Sequence, residues 1–192
     1  MKFILLNFLL CGITSIAVLA QDKNNNHPVY TITVQELDVI LGDITIELFP
    51  ETAHNHCANF DSLVRIGFYD GTAFHRIDPD FMIQGGDPNS KNPTKDPSTW
   101  GFGDESQKKI PAEFNSISHK RGILSAARGE NINSADSQFF ICVKDSGFLD
   151  GEYTAYGKVL QGMEIVDKVA ESSRDKATER PLKKITMKIV KK

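Results

Sequence analysis

The stretch Phe74-His75-Arg76-Ile77-Asp78-Pro79-Asp80-Phe81-Met82-Ile83-Gln84-Gly85-Gly86-Asp87 decides the reading of this chain. It sets one arginine and one amide side chain among large apolar residues, with a tight turn at Asp78-Pro79-Asp80. Read as two short strands, it has the period-two alternation of a pleated sheet. Arg76 then points away from His75 and Ile77, and Met82 shares a face with Gln84. A second stretch, Ser137-Gln138-Phe139-Phe140-Ile141, follows the same logic. If Phe139 and Ile141 fill the core, Gln138 and Phe140 face out, and Phe140 is free to line a slot. Spacing therefore allows Arg76, Met82, Gln84 and Phe140 to converge on one patch, an apolar slot with a cationic fork at its rim. Neither stretch suggests a nucleophile, a metal cage or a phosphate cradle.

Working outward, the 192 residues suffice for one domain with a real core. The formal charge of −3 gives no basic surface for nucleic acid. Lys2 precedes an apolar run from Phe3 to Leu19, which closes on Val18-Leu19-Ala20. This reads as a secretory signal peptide over residues 1–20, cut after Ala20, with an uncleaved anchor as the alternative. Residues 21–28 read as a short flexible polar leader, and 29–192 as the folded domain. The expected location is outside the cytoplasm, in a periplasm or secreted, with no membrane contact once the signal is removed. Cutting the signal removes Cys11 and leaves Cys57 and Cys142. Two cysteines far apart are no disulfide framework, and geometry decides whether they pair.

Along the domain, Val29 to Val34 fits a strand. Val39 to Leu41, Gly42-Asp43 and Ile44 to Phe49 read as a hairpin turning at Gly-Asp. Pro50 opens a helix whose apolar positions are Ala53, Cys57, Phe60 and Val64, and Gly67 stops it. Asp87 to Lys109 forms a long polar loop, a kind that usually serves function or acts as a gate. Gly122 to Ala127, Gln138 to Val143 and Thr154 to Leu160 read as strands. Gly162 to Ala170 reads as a helix with Ile165, Val166 and Val169 inward, and Ile185, Met187 and Ile189 alternate in a last strand. Short strands with two helices predict an all-β barrel or sandwich. His54 and His56, two apart on a helix, point in different directions and read as solvated surface rather than metal ligands. Gly101-Phe102-Gly103 opens no βαβ unit and is no dinucleotide fingerprint. No cofactor is predicted. The charged run Glu171 to Arg180 reads as a solvated loop.

The quoted stretches, with Gly122-Ile123-Leu124-Ser125, Leu149-Asp150-Gly151 and Tyr156-Gly157-Lys158-Val159, carry a family resemblance. From Val29 to Val190 the chain resembles the cyclophilins, peptidyl-prolyl cis-trans isomerases, with the motifs in the family's order. The resemblance implies a closed eight-stranded antiparallel β-barrel capped by two helices. It implies that Arg76 is catalytic and that Phe81, Met82, Phe140 and Leu149 form the proline pocket. Gln84 would orient the substrate backbone, and Ala127 and Arg128 would pair with its main chain. Gln138, Phe148 and Tyr153 complete the implied substrate-binding set. The partners it implies are proline-containing peptides and folding proteins, taken up by a monomer.

Three departures from the family pattern stand out. Phe148 occupies the position where many members carry Trp, so weak binding of the cyclic peptide cyclosporin is expected. Tyr153 replaces a common His at the pocket rim, and the loop from Arg128 to Asp136 is one residue longer than the commonest form. Two readings compete with the enzyme. A proline-reading binding module would need only the apolar pocket, so Arg76 and Gln84 favour the enzyme. A carrier of an apolar ligand would need a hollow barrel, which the abundance of large apolar strand residues opposes.

Overall fold

Tyr30, Ile32 and Val34 alternate along β1 (Val29–Glu36) and are fully buried, so this strand lays one face on a core. A computed structural model of the protein describes residues 27–192. The expected signal peptide and most of the expected leader lie outside the described residues. The last two leader residues, His27 and Pro28, are tied to the domain. The Leu48 N–H donates to the Pro28 carbonyl at 3.0 Å, and the His27 ring meets Phe49 edge-on at 5.5 Å.

The remaining elements are β2 (Val39–Leu48), α1 (His54–Arg65), β3 (Phe74–Ile77), β4 (Met82–Gly85), β5 (Ile123–Ala126), β6 (Phe139–Cys142), β7 (Ala155–Gln161), α2 (Met163–Ala170) and β8 (Ile185–Lys191). The strands form one antiparallel sheet of eight in the order β3-β4-β6-β5-β7-β2-β1-β8. Its two ends approach each other just before β3. There the Gly71 N–H donates to the Met187 carbonyl and the Met187 N–H to that of Thr72, both at 2.9 Å. The result is an all-β, nearly closed barrel with two helices. Closure leaves almost no unpaired edge.

The interior is filled. Ile32, Ile44, Ile46, Leu48, Ile83, Leu124, Phe139, Ile141 and Ile189 contribute to one continuous apolar cluster. From α1, Phe60 brings its ring to within 5.2–6.1 Å of Tyr30, Tyr69, Phe139 and Tyr156. Val166, Val169 and Ala170 of α2 are buried, while Ile165 is only partly so. A packed core of this kind has no room for an apolar cargo.

Two local expectations are corrected. Gly42-Asp43 is not a turn, because β2 runs straight through it and the reversal is at Leu37-Asp38. Leu37 takes the left-handed backbone there, at φ 51°. Gly42 instead lies beside a bulge, with Val34 opposite Gly42 and Gln35 opposite Ile40. A Cβ on Gly42 would come within 2.4 Å of Ile165 Cδ1, so the glycine lets α2 dock on β2. The first helix starts at His54 rather than Pro50, since the Thr52 and Ala53 N–H groups both return to the Phe49 carbonyl in a tight turn.

Cys57 and Cys142 are free and buried, one on α1 and the other on β6. Burial pushes each thiol up to about 12, which leaves both inert. Among the described residues, no helix is long and apolar enough to cross a membrane.

Candidate active site

The site begins with an irregularity in β3. Phe74 pairs with Gly85, but Arg76 pairs with Gln84 and Ile77 with Ile83, so His75 is an extra residue on its strand. Strict alternation would put Arg76 on the same face as Phe74, in the core. The bulge resets the phase. Phe74 and Ile77 both point inward, and Arg76 is released to the surface with its side chain 41% exposed. His75 turns under the long loop, where it is 4% exposed and packs against Gly101.

Arg76, Phe81, Met82, Gln84, Ala127, Arg128, Phe140, Leu149 and Tyr153 surround one pocket of about 110 Å³. That is the scale of a small ring, well below the roughly 300 Å³ at which drug-sized ligand pockets begin. Strand pairing explains the convergence. Arg76, Gln84 and Phe140 lie in neighbouring register positions across β3, β4 and β6, and Ser125 of β5 faces Phe140 next in line. Gly86, at φ 89°, lets the chain turn away after Gln84. A Cβ there would meet the Ser137 carbonyl at 2.7 Å.

The rim is polar in a defined way. The Arg76 Nε donates to Glu179 Oε2 at 2.6 Å, and its Cζ lies 5.7 Å from the Phe81 ring centre. Gln84 Nε2 donates to Gln138 Oε1 at 3.3 Å, and Gln138 Nε2 to the Gly101 carbonyl at 3.2 Å. The Arg128 guanidinium is spent on its surroundings. Nη2 donates to the Glu152 carbonyl at 3.1 Å, Nη1 to that of Gly129 at 2.9 Å, and Cζ sits 4.4 Å from the Tyr153 ring centre. The Ala127 N–H is paired with the Gln138 carbonyl at 3.0 Å.

Gln138 lies outside this pocket, in an adjoining cleft of about 250 Å³ that shares Gln84, Ala127 and Arg128 with it. Phe148 does not line the pocket. It stands at the rim, 72% exposed, with its ring 5.5 Å from that of Phe81.

The long loop forms the far wall of the adjoining cleft. Buried Asp87 gathers it by accepting the N–H groups of Asn89, Gly101 and Gly103. Phe102 thereby stands 84% exposed at the cleft edge, opposite the Lys109–Asp136 ion pair of 2.8 Å.

Several residues around the site escape sequence reasoning. Glu179 falls in the run that reads as a solvated loop, yet it holds Arg76 across 103 positions of chain. Beneath the pocket, buried His119 stacks on Phe140, with ring centres 6.2 Å apart. Its Nδ1 is 2.9 Å from Asp150 Oδ1, and its Nε2 is 3.0 Å from Ser125 Oγ. The trio looks like a hydrolase triad, but Ser125 is fully buried and its hydroxyl is 2.9 Å from the Thr154 carbonyl. No substrate carbonyl can reach it, so the trio is a brace for the pocket floor. The histidine N–H groups and Ser118 pull the Asp150 carboxyl down to about 2. His56 is also not the solvated residue expected. It is buried, with Nδ1 2.6 Å from Glu113 Oε2. Burial lowers its pKa, which fits a neutral ring donating to the carboxylate. Among the described residues no three His, Cys, Asp or Glu side chains gather as a metal would require.

Fold and site together present a barrel whose surface carries a ring-sized apolar pocket with an arginine and an amide at its rim. Known proteins of one class resemble the chain in sequence and fold. A family model described as "Cyclophilin type peptidyl-prolyl cis-trans isomerase/CLD" matches residues 29–192. A probable peptidyl-prolyl cis-trans isomerase of Brucella suis is 46% identical over 134 residues, covering 69% of this chain and 68% of that one. A peptidyl-prolyl cis-trans isomerase of Schizosaccharomyces pombe is 40% identical over 157 residues, covering 81% and 95%. A crystal structure of a cyclophilin-type isomerase of Cryptosporidium parvum superposes with a TM-score of 0.74 at 29% identity, covering 86% of this chain and 98% of that one. A second structure of the Cryptosporidium protein, in the presence of the dipeptide Ala-Pro, gives 0.71 at 30%. The chain belongs to the cyclophilin-type peptidyl-prolyl cis-trans isomerases, and it is an enzyme of that type acting on Xaa-Pro bonds in support of protein folding.

Proposed function

We propose that the chemistry sits at Arg76 and that the clients are exported proteins. The observation that carries the first part is the guanidinium at the rim of a ring-sized apolar pocket, with Gln84 as its neighbour across β3 and β4. Rotation about a prolyl amide faces a barrier of roughly 18–20 kcal/mol because resonance makes C–N partly double. No bond has to break, so the enzyme need only favour the twisted amide over both planar forms. In the twisted state the prolyl nitrogen becomes pyramidal and regains a lone pair. A guanidinium N–H that donates to this nitrogen withdraws it from resonance, and arginine carries such donors at every working pH. Phe81, Met82, Phe140 and Leu149 grip the ring and exclude water, which strengthens the hydrogen bond. The Gln84 amide holds the neighbouring carbonyl, and the Ala127–Arg128 segment pairs with substrate main chain. The Cryptosporidium relative studied in the presence of Ala-Pro, a dipeptide ending in proline, fits this reading.

Export rests on the apolar segment Phe3 to Leu19 ending at Ala20. A monomer suffices, since one barrel carries the whole pocket. Export is tested by fractionation of cells that express the full chain, with sequencing of the mature N-terminus. A protein beginning at Gln21 in the exported fraction supports the reading; an uncut chain in the cytosol contradicts it. Weak cyclosporin binding follows from Phe148, which lacks the indole N–H donor of tryptophan.

A further inference from the structure

The loop between α2 and β8 is attached to β3 at two adjacent points. The Glu179 carbonyl accepts the Ile77 N–H at 2.8 Å, and the Glu179 carboxylate accepts Arg76 Nε at 2.6 Å. The loop is itself held at its base. The Asp175 N–H donates to the Arg180 carbonyl at 2.9 Å, and Arg174 bridges to Pro181. Glu179 is therefore tied to β3 through both its backbone and its side chain. It also adopts φ 56°, a left-handed backbone that side chains other than glycine rarely take. Residues held in such conformations cluster where function constrains them.

Stability does not account for the pair. The side chains are 41% and 29% exposed, and ion pairs of that kind contribute little to folding. Geometry does account for it. Arginine is long and rotamer-rich, and it loses much freedom when it must act from one place. A carboxylate bound at Nε fixes one edge of the planar guanidinium and leaves both terminal nitrogens unused by the pair. Cζ lies 5.7 Å from the Phe81 ring centre, and Arg76 lines the pocket. Donors held in place before substrate arrives need no reorganisation during the reaction.

We propose that Glu179 is a positioning residue for Arg76, holding the guanidinium by its Nε edge so that the terminal N–H groups face the prolyl nitrogen. The inference rests on the catalytic assignment of Arg76. The opposite role would be a latch that occupies Arg76 and must be broken for turnover.

The experiment compares four proteins on a short Xaa-Pro peptide: the unmutated chain, Glu179→Gly, Glu179→Gln and Arg76→Ala. Glycine suits the left-handed backbone, so Glu179→Gly removes the carboxylate without straining the loop. Glutamine keeps an acceptor oxygen for Nε. The expected result is a kcat lower by about tenfold in Glu179→Gly, with KM within about twofold, and recovery of most of that loss in Glu179→Gln. The arginine Nε–H resonance, protected in the unmutated protein, should become exchange-broadened in Glu179→Gly and return in Glu179→Gln. A Glu179→Gly protein that turns over unchanged or faster, beside an inactive Arg76→Ala, overturns the positioning role alone. An Arg76→Ala protein with full turnover overturns the assignment of Arg76 and this inference with it.

Discussion

Acid should weaken this enzyme through His75, the residue that makes the bulge in front of Arg76. Its ring is 4% exposed beneath the long loop, and neither nitrogen reaches a partner in hydrogen-bond geometry. Burial pulls its pKa from the ordinary 6.5 down to about 4, and the nearby Asp87 carboxylate only softens the effect. The sign follows from proton uptake. As pH falls below 6.5 the unfolded chain binds a proton that the folded protein refuses until about 4. Stability is therefore complete above 6.5 and lost through the interval below it, at about 1.4 kcal/mol per pH unit. Between pH 8 and pH 5 the loss from this one ring is about 2 kcal/mol. Buried His56 adds a loss of the same sign.

The assay is urea unfolding followed by fluorescence at both pH values, with His75→Met as the comparison. Methionine is adaptable, and no hydrogen bond is lost. At a denaturant slope of about 1–3 kcal/mol per molar urea, the midpoint of the unmutated protein should fall by about 1 M from His75 alone. In His75→Met most of that fall should be absent. An equal fall in both proteins, or none in the unmutated one, would mean that His75 is not the group responsible.

Two further outcomes are expected. Phe148→Trp should raise cyclosporin affinity by about tenfold or more, since it adds apolar area and an N–H donor worth about 1–2 kcal/mol at the exposed rim; titration that leaves the affinity unchanged removes Phe148 as the cause. Phe60→Ala should cost about 3–5 kcal/mol in urea, because a fully packed ring with four aromatic neighbours leaves a cavity that the barrel cannot collapse.

Much of the barrel is legible in the sequence because a period of two is a local signal. Ile44, Ile46 and Leu48 state which face of β2 is buried, and Ile185, Met187 and Ile189 do the same for β8. The split of Phe139 and Ile141 from Phe140 follows from the same parity, and the two groups do belong to separate apolar clusters. Gly42-Asp43 misleads because Gly-Asp is ordinary turn chemistry. The glycine's actual purpose is to make space for Ile165, more than a hundred positions away, and no local pattern reveals that. The phase of Arg76 comes out right for an incomplete reason. Parity alone places it with Phe74, and only the bulge at His75, visible in the pairing with β4, separates them. Glu179 and His56 escape for one cause. Each finds its partner across a long stretch of chain, and a charged or polar residue in a loop or on a helix reads as solvated until that partner is seen.

On the proposal made above, the Arg76 guanidinium accelerates rotation of the prolyl bond. Exchange spectroscopy by NMR on a short Xaa-Pro peptide measures the cis/trans rate directly, against an uncatalysed exchange that takes tens to hundreds of seconds. With catalytic amounts of the protein the exchange should become fast, and with Arg76→Ala of equal thermal stability it should return most of the way to the uncatalysed rate. Undiminished exchange in a folded Arg76→Ala protein would contradict the account.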